Sequence, residues 1–154
     1  MAEDLAEFEQ WLGRVLGGLD PGVRRHASIK LAQALRRSNV ERIAANVEPG
    51  GGAMEKRKSR KGGRLRRKMF PKLRRLAEWK IDADGDGLEI SPVNPLVGRT
   101  AATHHFGETG YVGRLRDGRV IRARYPERRL LGFAPDDEAL VMEVAAGFID
   151  PESR

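Results

Sequence analysis

Apolar residues recur at three- and four-residue intervals near both ends of the chain and at two-residue intervals in between. Leu5, Phe8, Leu12, Val15, Leu16 and Leu19 form one stripe and predict a first helix. Glu3 and Asp4 fall in its first turn, where the helix dipole favours negative charge, and Gly17-Gly18 ends it. Asp20 is a good N-cap and Pro21 suits the first helical position, so a second helix begins there. Ala27, Leu31, Ala34, Leu35, Val40, Ile43, Ala44 and Val47 carry it to about Asn46, a length of ~40 Å at 1.5 Å per residue. Pro49-Gly50-Gly51-Gly52 stops it. Two helices with so short a turn predict a helical hairpin.

Trp79 and Ile81 alternate with polar residues, as do Leu88 and Ile90, and predict a β-hairpin around residues 82–87. Residues 91–118 are rich in glycine and proline and predict loop. A short strand follows at Val120–Ala123. A last helix starts at Pro135, with Asp136, Asp137 and Glu138 in its first turn and Leu140, Val141, Val144 and Phe148 as its stripe. The order is helix-helix, strands, helix, an α+β fold: N-terminal helical hairpin, small antiparallel sheet, C-terminal helix. At 154 residues and without internal repeats, the chain predicts one domain over 1–154.

Charge changes this picture at one place. Residues 56–75 contain 12 of the 29 Lys and Arg residues and no acidic residue. Outside them, 17 basic residues face 22 acidic ones, a net of −5, against +7 for the whole chain. The chain therefore reads as a mildly acidic body carrying a basic arm, delimited at 53–75. Lys56, Arg57, Lys58, Arg60, Lys61, Arg64, Arg66, Arg67 and Lys68 are its candidate contact residues. Like charges at this density resist packing, so residues 56–68 are expected to stay poorly ordered in an isolated subunit. Leu65, Met69 and Leu73 keep helical spacing, with Pro71 placed to break or restart that helix. Apolar residues among the charges (Leu65, Met69, Phe70, Leu73, Leu76) suggest docking on a partner. An acidic protein face and nucleic acid both fit. With Phe70 the one aromatic in the run, a base-stacking platform does not.

Other chemistry is thin. The absence of cysteine excludes disulfides, thiolate zinc sites and cysteine nucleophiles, and fits a reducing interior. No apolar run approaches the ~20 residues of a membrane helix, and the acidic N-terminus lacks a signal-peptide pattern. A soluble, intracellularly made protein without membrane partners is expected. Asp82-x-Asp84-x-Asp86-Gly87 matches the first half of a calcium loop, but position twelve is Val93 rather than Glu. It reads as a polar hairpin turn. His104-His105, taken as adjacent residues of an extended strand, point to opposite faces and make a poor chelating pair. The glycine clusters lack the Gly-Lys-Ser/Thr ending of a phosphate loop. No catalytic residue, cofactor or metal is expected.

Two blocks stand out: Thr103-His104-His105-Phe106-Gly107 with Tyr111-Val112, and Arg124-Tyr125-Pro126-Glu127-Arg128-Arg129-Leu130-Leu131-Gly132-Phe133 before the acidic-start helix. Upstream lie Arg42-Ile43, the turn from Asn46 through Pro49 to Gly51, and Met69 to Arg74. This ordered set resembles the virion morphogenesis (tail completion, S-type) family of contractile-tailed phages, over nearly the whole chain. The chain departs from that pattern at Ala53-Met54-Glu55-Lys56-Arg57-Lys58, where members commonly carry an aromatic and Pro-Arg-Lys. Glu127 also replaces a common alanine.

The resemblance implies a non-enzymatic virion component at the head-proximal end of the tail, assembled in the bacterial host cytoplasm. It would form a homo-oligomeric ring, hexamer favoured over dodecamer, next to tail tube or terminator and head–tail connector proteins. Non-specific contact with channel DNA is compatible with it. His104, Phe106, Gly107, Tyr125, Pro126 and Arg128 join the arm as candidate assembly residues. In the second block, Leu130, Leu131 and Phe133 are expected to face the body, leaving Arg128 and Arg129 for polar partners. The rival reading is a small basic nucleic-acid-binding protein of ribosomal or nucleoid type.

Overall fold

The computed structural model describes residues 2–58, 68–84 and 87–149, with the backbone alone at 2–5, 8, 15 and 16. The order is α1 (Ala2–Gly17), α2 (Pro21–Ala45), a 3-10 turn (Leu76–Glu78), β1 (Trp79–Ala83), β2 (Leu88–Pro92), α3 (Pro95–His105), β3 (Thr109–Arg114), β4 (Val120–Arg124) and α4 (Pro135–Ile149). This is an α+β fold. The strands form two separate two-stranded sheets, β1 with β2 and β3 with β4, where one small sheet is expected from the pattern.

Local chemistry explains most boundaries. Asp20 Oδ1 accepts from Gly22 N at 2.9 Å, the capping bond expected at the start of α2. The glycine run does not stop α2. Asn46 does, by turning left-handed at φ 57°. Val47 N then donates to Arg42 O (3.0 Å) and Asn46 N to Ile43 O (3.2 Å), the paired bonds of a Schellman ending. Pro49 and Gly50 make the next turn, closed by Gly51 N to Glu48 O at 2.9 Å, and Met54 N returns to Asn46 O at 2.8 Å.

The expectation of loop over 91–118 is overturned by α3 and β3. Asn94 Oδ1 accepts from Leu96 N (2.9 Å) and Val97 N (3.5 Å), and Pro95 takes the first helical position. That pair is a standard helix start outweighed in the sequence by the surrounding glycines. His104 and His105 consequently end a helix rather than alternating along a strand. In β1–β2, Asp84 N donates to Gly87 O (3.0 Å) and Asp84 Oδ1 accepts from Gly87 N (2.8 Å), a polar turn at the half calcium motif. Residues 85 and 86 lie outside the described residues.

By its internal contacts the chain divides into two compact units. Met1–Arg36, Ile81–Ile90 and Pro135–Arg154 form the first, Arg37–Lys80 and Ser91–Ala134 the second. In the first, Ala27, Leu31 and Ala32 of α2 and Val141 and Ala145 of α4 are buried. His26 and Phe148 meet with ring centroids 5.6 Å apart. In the second, the buried set is Val40, Ile43, Met54, Leu73, Trp79, Ala101, Leu130 and Ala134. No helix among the described residues is long and apolar enough to cross a membrane.

Candidate assembly site at Arg128 and His104

The second unit brings together the blocks that are far apart in sequence. Its centre is residues 125–132, which adopt neither helix nor strand. An irregular segment with buried residues must satisfy its backbone by other means. Here other segments supply the partners one by one. Tyr125 N donates to Glu108 O (3.0 Å) and Arg128 N to His104 O (2.8 Å). Arg129 N donates to Glu48 Oε1 (3.2 Å) and Leu130 N to His105 Nδ1 (3.2 Å). Gly132 N donates to the buried Asn39 Oδ1 (3.0 Å), while Gly132 O accepts from Arg42 Nη2 (3.1 Å).

Two glycines permit this approach. Gly107 follows the end of α3 at φ 64°, and Glu108 N donates to Thr103 O (2.9 Å), again a Schellman bond. A Cβ at Gly107 would also stand 3.0 Å from Glu127 N. One at Gly132 would stand 2.7 Å from Pro49 Cγ. The His-x-Phe-Gly, Tyr-Pro and Leu-Leu-Gly blocks are therefore contact surfaces for one another.

Arg128 is 2% exposed and turns into the chain. Its Nε donates to Glu55 O at 2.6 Å, Nη2 to Lys56 O at 3.4 Å and Nη1 to His104 Nδ1 at 2.9 Å. The polar partners expected for it thus come from within the chain. Arg129, exposed, pairs with Glu127 Oε1 at 2.9 Å. His104 also meets Tyr125 (ring centroids 4.7 Å) and Phe70 (5.1 Å) edge-on.

Burial holds the His104 imidazole below its ordinary pKa, and the charges of Arg128 and Arg57 add to this. His105 is also lowered, chiefly by burial and further by Arg129, against the opposing pull of Glu127 and Glu48. Both rings are thereby kept neutral with Nδ1 free to accept, as their bonds from Arg128 and Leu130 require. Burial likewise lowers Arg128, partly offset by Glu55.

The pair holds the two described flanks of the basic stretch. On one side Arg128 holds the carbonyls of Glu55 and Lys56, with Met54 buried just before them. On the other, Phe70 rests on His104 and Leu73 is buried under Trp79, whose Nε1 donates to Leu73 O at 2.8 Å. Arg74 Nη2 reaches Ala44 O at 3.3 Å. Residues 71–75 form turns, so the helix suggested by Leu65, Met69 and Leu73 is not made there. Lys56, Arg57, Lys58 and Lys68 are exposed. Arg60, Lys61, Arg64, Arg66 and Arg67, with most of the stretch expected to be poorly ordered, lie outside the described residues. A shallow cavity of about 320 Å³ beside the mooring is lined by Lys58, Phe106, Gly107, Tyr125, Pro126 and Glu127. Among the described residues, no group of His, Asp and Glu is placed to hold a metal.

These contacts join the blocks that carry the family resemblance, and residues 3–149 match the phage virion morphogenesis family. The chain belongs to that family. It is also 30% identical to tail completion protein S of Escherichia phage P2 over 151 residues, 96% of this chain and 98% of that one. No solved structure matches significantly. In this member of the phage virion morphogenesis family, the shared blocks outline the Arg128–His104 mooring and the turns packed on it. No sequence signal marks Arg128 as an internal anchor; that role follows from the acceptors that Glu55, Lys56 and His104 supply to its buried side chain.

Proposed function

We propose that this protein is a non-enzymatic structural component of the virion, acting in tail completion at the head-proximal end of a phage tail. The observation that carries this reading is the similarity to tail completion protein S across nearly the full length of both chains. The protein assembles as a homo-oligomeric ring, six-fold in preference to twelve-fold, and joins the tail tube or terminator to the connector of the head. Its work is done in the bacterial cytoplasm during assembly, and it remains in the neck of the virion. The basic stretch, moored at both ends by Arg128 and His104, engages acidic faces of neighbouring subunits. The exposed Phe106 and the half-buried His104 and Tyr125 flank that contact rather than form a catalytic set.

The test is a variant with Arg64, Arg66, Arg67 and Lys68 replaced by Gln, supplied to a phage lacking this gene. Gln keeps helix propensity near that of Arg and Lys. Circular dichroism and melting should stay near normal, with unjoined heads and tails and few infectious particles. Normal joining with DNA leaking from the particles would instead favour the nucleic-acid role. That role predicts affinity falling by about 10³–10⁵ between roughly 50 and 200 mM salt for some 6–10 phosphate contacts. Normal particle yield would remove the arm from the mechanism.

A further inference from the structure

The β3–β4 ribbon is two strands wide, antiparallel, and paired Thr109 to Arg124, Gly110 to Ala123, Tyr111 to Arg122, Gly113 to Ile121 and Arg114 to Val120, with a bulge at Val112. Paired residues share a face. Gly110 and Ala123 therefore lie on one side with Gly113 and Ile121. A Cβ at Gly110 would stand 2.9 Å from the Tyr125 ring and 3.1 Å from Thr103, so this side is covered at Gly110, while Gly113 has open space beside it and Ile121 and Ala123 are exposed. The opposite side carries Tyr111, Val120, Arg114, Arg122 and Arg124. All five are exposed, Tyr111 by 64% and Val120 by 48%. No ion pair among the described residues joins these three arginines to a carboxylate. A two-stranded ribbon is marginal in water by itself, and an open face that sets Tyr111 and Val120 among three arginines is suited to a partner both apolar and acidic.

A surface of complementary chemistry exists on the same chain. α4 has four acidic residues and no basic one. Val141 and Ala145 are buried, while Glu138, Met142, Ala146 and Ile149 form an exposed stripe at helical spacing, with Glu143 beside it. Met142 is 43% and Ile149 53% exposed. The stripe runs about 16 Å at 1.5 Å per residue. The ribbon face runs about 13 Å from Val120 to Arg124 at 3.3 Å per residue.

We propose that the outer face of β3–β4 in one copy docks on the exposed face of α4 in a second copy. Tyr111 and Val120 meet Met142 and Ile149, and Arg114 and Arg122 meet Glu138 and Glu143. The exposed apolar residues favour a polypeptide over phosphate, and both halves of the match are on this chain. Because the two surfaces differ, the contact is head-to-tail, and such contacts propagate into a ring when the rotation closes. This deepens the homo-oligomer of the proposed function and rests on that part of it.

The experiment is a charge swap read by sedimentation velocity on the full chain. The parent protein should self-associate. Arg114→Glu with Arg122→Glu, and separately Glu138→Lys with Glu143→Lys, should each weaken association by about tenfold or more through like-charge contact. Mixing the two variants should restore it. Tyr111→Ser, which leaves charge unchanged, should also weaken it, and circular dichroism should confirm that every variant folds. A parent that stays monomeric up to its solubility limit, swapped variants that associate normally, or a mixture that fails to recover would each overturn the proposal. So would variants that assemble normally and lose only DNA binding. Complementation of a phage lacking the gene separates this from the wider reading. A protein that assembles but is dispensable for particles sinks tail completion and spares the interface; a monomer still required for particles does the reverse.

Discussion

Arg128 makes three hydrogen bonds from a buried position, and none of its acceptors is a carboxylate. Removing it would strand Glu55 O, Lys56 O and His104 Nδ1. Arg128→Ala should therefore cost about 2–3 kcal/mol in a denaturant melt, because charge-assisted bonds of this kind are worth more than neutral ones. Arg128→Lys should recover only part, since an ammonium cannot reproduce the planar fork. Stability must consequently be measured before any loss of assembly in these variants is read as a lost contact between subunits. His104 and His105 add a pH dependence. Both accept through Nδ1 and both have lowered folded pKa values, so the unfolded chain binds more protons than the folded one as pH falls. Their stabilisation is complete above the ordinary histidine value of about 6.5 and is lost as pH falls from there through the folded values. Melting temperatures should drop over that window. The pair His104→Asn and His105→Asn, whose amide oxygens can take the place of Nδ1, should flatten the drop. An unchanged slope would remove the two rings as its source.

At the scale of elements, two helix ends depend on left-handed residues of different kinds. Asn46 ends α2 at φ 57°, and its side-chain oxygen is buried without a partner. Asn46→Gly should thus be tolerated, while Asn46→Ala should cost about 1 kcal/mol from backbone strain. Gly107 ends α3 with the added constraint of Glu127 backbone at 3.0 Å from any Cβ. Gly107→Ala should cost about 1–3 kcal/mol and should loosen the Tyr125–Arg128 segment, visible as faster amide exchange at Arg128. Equal exchange in variant and parent would show that the close approach relaxes easily. α3 itself shows how a strong start signal, Asn94-Pro95, prevails although the sequence that follows the helix is rich in glycine. Thr100 and Thr103 satisfy their hydroxyls on Leu96 O and Arg99 O inside the helix.

For the whole molecule, charge is segregated in a way that matters to assembly. Twelve cations cluster in residues 56–75, and the remainder of the chain is net negative. In the proposed homo-oligomer, attraction between exposed charges would fade as the Debye length shrinks from ~10 Å at 0.1 M to ~3 Å at 1 M. Self-association should therefore weaken as salt rises, without a matching change in melting temperature once subunits are dilute. Sedimentation at both salt levels checks this. Salt-independent association would assign the interface to apolar contacts alone.

Periodicity and capping residues determined α1, α2, β1–β2, β4 and α4, because those signals act within a few residues of one another. The same is true of the uneven charge and of the ordered blocks that carry the family resemblance. Tertiary structure alone decided what the blocks do. Arg128 looked available for outside partners, since a sequence does not show which cations are buried. Its acceptors at 55 and 56 lie more than seventy residues away. The two histidines as acceptors at a helix end and the hold of His104 on Phe70 follow from contacts between distant segments. Separation into two small sheets was hidden for the same reason, because strand pairing depends on which backbone edges the fold brings side by side.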